Sequence, residues 1–194
     1  MQQGEIIILA LVGLVLLAAI LIWLAVRNRN TTKLRDKFGD EYDRTVEEKG
    51  RRSAAEAALE EREKRVAELD IRPLTPQQRD AAITEWREVK AVFVDSPVEA
   101  VHHADRLLAS IMKARGYPMA DFDRRYEDLT VDHGEVARHY REGHEITERH
   151  RLGQASTEDL RQAMIHFEAL FDDLVNEVTD EHEMRDLPRR ERTR

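Results

Sequence analysis

Residues 6–26 read IIILALVGLVLLAAILIWLAV, an apolar run with no charge and no proline. As an α-helix such a run is about 31 Å long, one hydrocarbon thickness of a bilayer. A helix also satisfies its own backbone hydrogen bonds in lipid. The run predicts a single N-terminal transmembrane helix at 6–26, preceded by a short N-terminus at 1–5. A cleaved secretory signal would need a basic start, a shorter apolar core and a small-residue cleavage site. Here the chain begins MQQGE, and the run ends in Trp23 and Leu24 with Arg27 and Arg29 beyond. Burial as a core helix would need a large apolar partner, and the remaining chain is too polar to supply one.

The flanks predict the sense of insertion. Arg27, Arg29, Lys33, Arg35 and Lys37 follow the run, and no Lys or Arg precedes it. The positive-inside rule counts these residues, so the C-terminal side is expected in the cytoplasm, with Trp23 near the interface. The chain has no Cys, which excludes a disulfide framework and thiolate metal sites.

Beyond the run the chain is unusually charged. Asp, Glu, Lys and Arg make up 36% of the protein and aromatics only 6%, a mixture that favours helices with solvated faces over sheets. The net charge is −8, and residues 71–178 carry −7 of it. An acidic main domain argues against a nucleic-acid partner, because phosphate binding runs on Lys and Arg.

Residues 27–72 predict a charged helical stalk. Leu34, Phe38, Tyr42 and Val46 recur every fourth residue and share a helix face. Gly39 and Gly50 weigh against one continuous helix. Ser53 and Glu56 have capping-box spacing, and Ala55, Leu59, Arg62, Val66 and Leu69 step by 4-3-4-3. Arg62 interrupts that stripe, and two to three heptads make a short coiled coil. A solvated spacer is favoured over a dimerising stalk, although the seam would allow a homodimer there. As one helix, residues 31–69 would reach about 58 Å from the bilayer.

From Pro73 the chain shows a regular series of helix starts and stops. Thr75-Pro76-Gln77-Gln78 combines an N-cap, a proline at N1 and a glutamine at N3, and Ser96-Pro97-Val98-Glu99 repeats that grammar. Asp132 with Glu135, and Ser156 with Asp159, are looser versions. Gly116 before Pro118 and Gly153 after Leu152 are stops. These signals predict helices near 76–93, 97–115, 119–129, 133–152 and 157–178. Their apolar stripes include Ala82, Trp86, Val89 and Phe93; Val101, Ala104, Leu108 and Ile111; Phe122, Tyr126 and Leu129; Val136, Tyr140, Gly143 and Ile146; and Leu160, Met164, Phe167, Phe171, Leu174 and Val178. The fold class is all-α, with a four- to five-helix bundle at 73–178. Residues 179–194 lose the pattern and read as a disordered tail.

No catalytic pattern survives comparison with its simplest structural explanation. The chain has eight histidines. Only Glu99 and His102 make the Glu-x-x-His spacing of a di-iron bundle, and Glu99 already has a capping role. His139, His144 and His150 are spaced by five and six residues, which spreads them around a helix. Glu145 and Glu148 beside His144 read as a solvated, salt-laced face. There is no phosphate-binding glycine loop and no Gly-x-Ser-x-Gly. Tyr117, between Gly116 and Pro118, reads as a plug at the end of a core. No enzyme activity, cofactor or metal site is expected.

Several phrases together, KFGDEYDRT at 37–45, LDIRPL at 69–74, RGYP at 115–118, DLTVDH at 128–133 and STEDLRQAM at 156–164, mark a resemblance over roughly residues 33–175. The chain resembles a group of uncharacterised small helical bacterial proteins, often with a single N-terminal membrane span. The resemblance implies a bacterial inner-membrane setting and carries over no catalytic or binding residue.

The leading expectation is a membrane-anchored helical interaction or scaffold module that meets another protein, with the bilayer bound through 6–26. The alternative is a ligand- or metal-binding sensor using the bundle. Arg138, Arg141 and Arg149 are the expected partner-facing residues. A cytoplasm-active reporter fused after Arg194 should therefore be active and a periplasm-active one silent; the reverse result would invert the assigned orientation.

Overall fold

Gly39 and Gly50 decide the course of the N-terminal third. The computed structural model describes residues 2–119 and 121–176, without the side chains of 2–10, 12, 23, 26 and 27. Helix α1 (Gln2–Phe38) stops at Gly39, whose φ of 52° suits glycine. Helix α2 (Asp40–Lys49) begins with Asp40, Glu41 and Asp43, acids that match the positive end of its dipole. It ends at Gly50, left-handed with φ 67°, whose N–H is bonded to the Val46 carbonyl. Helix α3 (Arg52–Ala67) comes next.

These two breaks, at the glycines that weigh against one continuous helix, turn the chain back on itself. Thr31 donates to the Glu56 carboxylate at 2.6 Å, and the Tyr42 hydroxyl donates to the same oxygen at 2.9 Å. Asn30 donates to Glu60. A length near 58 Å is therefore not reached. Leu34, Phe38 and Tyr42 of the first expected stripe, and Ala55 and Leu59 of the second, are buried within the chain.

Among the described residues, no helix is long and apolar enough to cross a membrane. Within the run 6–26 the helical backbone is continuous, but the longest stretch with described side chains is 13–22. From Leu11 to Leu24 the described large apolar side chains remain 49–66% exposed.

The chain divides near residue 61, and the described residues from Arg62 onward form a second packed unit. It holds α4 (Pro76–Asp95), α5 (Pro97–Arg115), α6 (Phe122–Asp132), α7 (Gly134–Arg151) and α8 (Thr157–Asn176). The described residues contain eight helices and no strand, so the all-α class holds. The Thr75 box forms as expected: its hydroxyl accepts from the Gln78 N–H, and the Gln78 side chain accepts from the Thr75 N–H at 2.9 Å. Ser156 and Asp159 make the same reciprocal pair. Two starts differ. Ser96 makes no side-chain cap bond, since it also closes α4 and lies at φ −143°, ψ 73°. Asp132 ends α6 and His133 opens α7, while α6 begins at 122 because Asp121 caps it through the Arg124 N–H. Residue 178 and the tail at 179–194 lie outside the described residues.

Helix α8 is the hub. It packs against α7 and α5, and against α4 chiefly through Trp86 stacked on Phe171, with centroids 4.6 Å apart and planes 13° apart. Its buried set adds Ala163, Leu170 and Val175 to the expected stripe. A helix enclosed on several sides needs a broader apolar face than one lying on a surface. At the end of α5 the buried Arg115 donates to the Leu174 carbonyl at 3.2 Å, placing a cation at the negative end of α8. Gly116, at φ 105°, has no room for a Cβ against the Asp70 carbonyl, so the 70–72 segment crosses there and Arg72 donates to the Arg115 carbonyl at 2.9 Å.

The C-terminal end of α3 belongs to this unit. Arg62, which breaks the apolar pattern of the sequence, is buried and pairs with Glu127 at 3.3 Å. Arg65 spans Glu127 at 3.0 Å and the fully buried Asp128 at 2.8 Å. Such pairs cost much to break singly, because the remaining charge is left in a poor solvent.

In equilibrium denaturation of the chain from residue 62 onward, Trp86→Ala and Phe167→Ala should each lose about 3–5 kcal/mol. Glu148→Gln on the surface should stay within about 0.5 kcal/mol of wild type. A Trp86→Ala as mild as Glu148→Gln would remove α4 from the core as described.

Candidate functional site

Among the described residues, His103, His133 and His144 are each held by a local contact. His102 is exposed on α5, and its supposed partner Glu99 pairs with Arg106 at 3.0 Å. His103 meets Glu85 at 2.9 Å. His133, buried at the α6–α7 junction, holds Asp173 of α8 at 2.5 Å. His144 stacks on Phe122 with centroids 3.6 Å apart. Glu145 faces Arg141 at 3.6 Å and Glu148 pairs with Arg151 at 3.0 Å, a salt-laced surface as expected. Tyr117 is buried in the core. Tyr140 is buried with its hydroxyl donating to Asp105 at 3.3 Å. Burial, and then the Asp105 charge, push that hydroxyl far above its ordinary range, so it stays protonated.

The exception lies between α7 and α8. His139 and Glu142 are three residues apart on α7 and so share a face. His166 of α8 closes the group. The His139 and His166 Nδ1 atoms are 3.0 Å apart, His166 Nδ1 is 3.2 Å from Glu142 Oε2, and His139 Nδ1 is 3.7 Å from the same oxygen. All three residues are half-buried. Gly143 makes this possible, because it packs against the Phe167 ring where a Cβ would fall 2.5 Å from Cε1. The two residues that touch are therefore the chain neighbours of Glu142 and His166.

Two imidazole nitrogens at 3.0 Å require one to donate and the other to accept. Burial lowers the His166 pKa first, the Glu142 charge raises it, and His139 and Arg138 lower it further. The ring is thus held neutral at pH 7, with its nitrogen lone pair available. Two imidazoles and one carboxylate are a donor set that divalent transition metals accept. The group opens on a groove of about 520 Å³ lined by Glu142, His144, Glu145, Glu148, Arg149 and His166.

The expected partner-facing arginines are placed unequally. Arg138 and Arg149 are exposed, and Arg149 lines this groove. Arg141 is instead drawn over the Tyr126 ring, 5.4 Å from its centroid, and toward Glu145. Glu142, Glu145 and Glu148 lie between Arg141 and Arg149 along α7, so three arginines are matched by three glutamates and do not make a basic patch. His139 is weighed in the sequence only against histidines of its own helix. The signal that could have found the group is His139-x-x-Glu142 taken with a histidine on the inner edge of the clearest stripe, beside Phe167.

Comparison with family models, with characterised proteins and with solved structures finds no match to this chain.

In the metal-free protein, an NMR titration should find His166 protonating below the ordinary value of 6.5. Glu142→Gln should lower it further and His139→Ala should raise it. Because the folded value is depressed, this group's share of stability is fully present above pH 6.5 and is lost as pH falls through the folded value. A His166 that titrates above 6.5, or that ignores both substitutions, would contradict this electrostatic account.

Proposed function

We propose that the chain is a membrane-anchored helical interaction module. Residues 6–26 are its anchor in a bacterial inner membrane, and the packed helices of 76–176 are the part that meets a protein partner in the cytoplasm. The observation that carries this reading is the N-terminal half of α1. Leu11, Leu14, Val15, Leu16, Leu17, Ile20, Leu21, Ile22 and Leu24 are all about half exposed or more. Covering a large aliphatic side chain is worth about 1.5–3 kcal/mol. Nine of them left half uncovered in water forgo on the order of 10 kcal/mol, and a lipid environment recovers it. The uncharged sequence and the basic residues after it support the same reading.

Non-catalytic contact is favoured over chemistry because the charged residues of α7 and α8 are largely engaged in short-range pairs. Attachment to a membrane confines the packed helices to a layer along its surface, which raises their effective concentration toward partners in the same membrane.

Fractionation of bacterial cells tests the anchor. The full-length protein should remain in the membrane pellet through high-salt and alkaline-carbonate washes and leave it in detergent. The chain lacking residues 1–26 should be recovered without detergent, with its remaining helices intact by circular dichroism. Release of the full-length protein by salt alone would overturn the proposal.

A further inference from the structure

We propose that His139, Glu142 and His166 form a three-ligand site for a divalent transition-metal ion that joins α7 to α8. The geometry carries this. Ligand atoms about 2.1 Å from a metal lie about 3.0–3.4 Å apart at octahedral or tetrahedral angles. The three atoms here are already separated by 3.0, 3.2 and 3.7 Å. Little rearrangement is needed to close them on an ion. Two imidazoles and a carboxylate select a borderline cation over Mg²⁺ or Ca²⁺, which take oxygen donors.

The surroundings are consistent with a cation. The groove above the group adds the carboxylates of Glu145 and Glu148 beside Arg149. That opening gives the ion an entry path and leaves coordination positions for water or an outside ligand. Three protein ligands with an open position are the arrangement of a reactive or exchangeable site, whereas a structural zinc site is closed by four. The His103–Glu85 pair on α5 and α4 is a lesser competitor, because it brings two donors rather than three.

The test uses the full-length protein without a histidine tag, in detergent and stripped of metal by chelation. Zn²⁺ alone is titrated by calorimetry, Mg²⁺ serves as the negative control, and Co²⁺ serves as a spectroscopic probe. One equivalent of Zn²⁺ should bind with micromolar or tighter Kd and raise the melting temperature. Co²⁺ should give visible bands of an imidazole-ligated ion. His166→Ala and His139→Ala should each weaken Zn²⁺ binding at least tenfold. Glu142→Gln, which preserves shape and so keeps the test open if a histidine variant misfolds, should do the same. His103→Asn should leave binding unchanged. Absence of stoichiometric Zn²⁺ binding, binding indifferent to Glu142→Gln, or binding lost with His103→Asn would overturn the proposal.

Discussion

The approach of α7 to α8 at Gly143 and Phe167 is the constraint on which the second unit depends. A glycine in the middle of a helix costs about 1 kcal/mol relative to alanine. Here the fully buried Phe167 ring occupies the space that any side chain would take. Large against small across a helix pair is how dense packing is reached without voids. The contact lets α8 also face α5 and, through Phe171, take the Trp86 ring of α4. It sets His139, Glu142 and His166 side by side as well. Packing and site are thus consequences of one close approach.

Much of the fold was legible because local rules and tertiary packing agree. Caps at Thr75 and Ser156, stops at Gly116 and Gly153, and stripes of period 3.6 mark helices that form where the pattern places them. The N-terminal third was less legible. The spacing of Leu34, Phe38 and Tyr42 correctly marks buried positions but says nothing of direction, and it is the positive-φ backbone at Gly39 and Gly50 that folds the chain back. A glycine in a helical pattern signals only that a break is tolerated there. Arg62 shows the same limit from the other side. It interrupts the apolar stripe in sequence, yet it is a core residue because Glu127, distant in the chain, supplies its counter-charge.

The site was half legible for a related reason. His139 and Glu142 share a helix, so their juxtaposition follows from spacing alone. The third member comes from another helix, and its rotation about that helix is set by the Gly143 contact. Spacing within α7 could not reveal it. The surface of α7 adds a further lesson: three arginines that look available in sequence sit among three glutamates, and Arg141 is engaged with an aromatic ring. Charge along a helix face therefore says less about partners than the placement of the whole unit. The exposed apolar residues of α1 bear on that placement more strongly.

The most direct measurement of the α7–α8 constraint is the stability of Gly143→Ala, read by chemical denaturation alongside the contact between the His139 and His166 rings observed by NMR. On an unobstructed helix face the substitution would stabilise by about 1 kcal/mol. If the close approach to Phe167 governs the packing, it should instead destabilise by about 1–3 kcal/mol and separate the two imidazoles. A stabilised variant with the rings still in contact would contradict the claim.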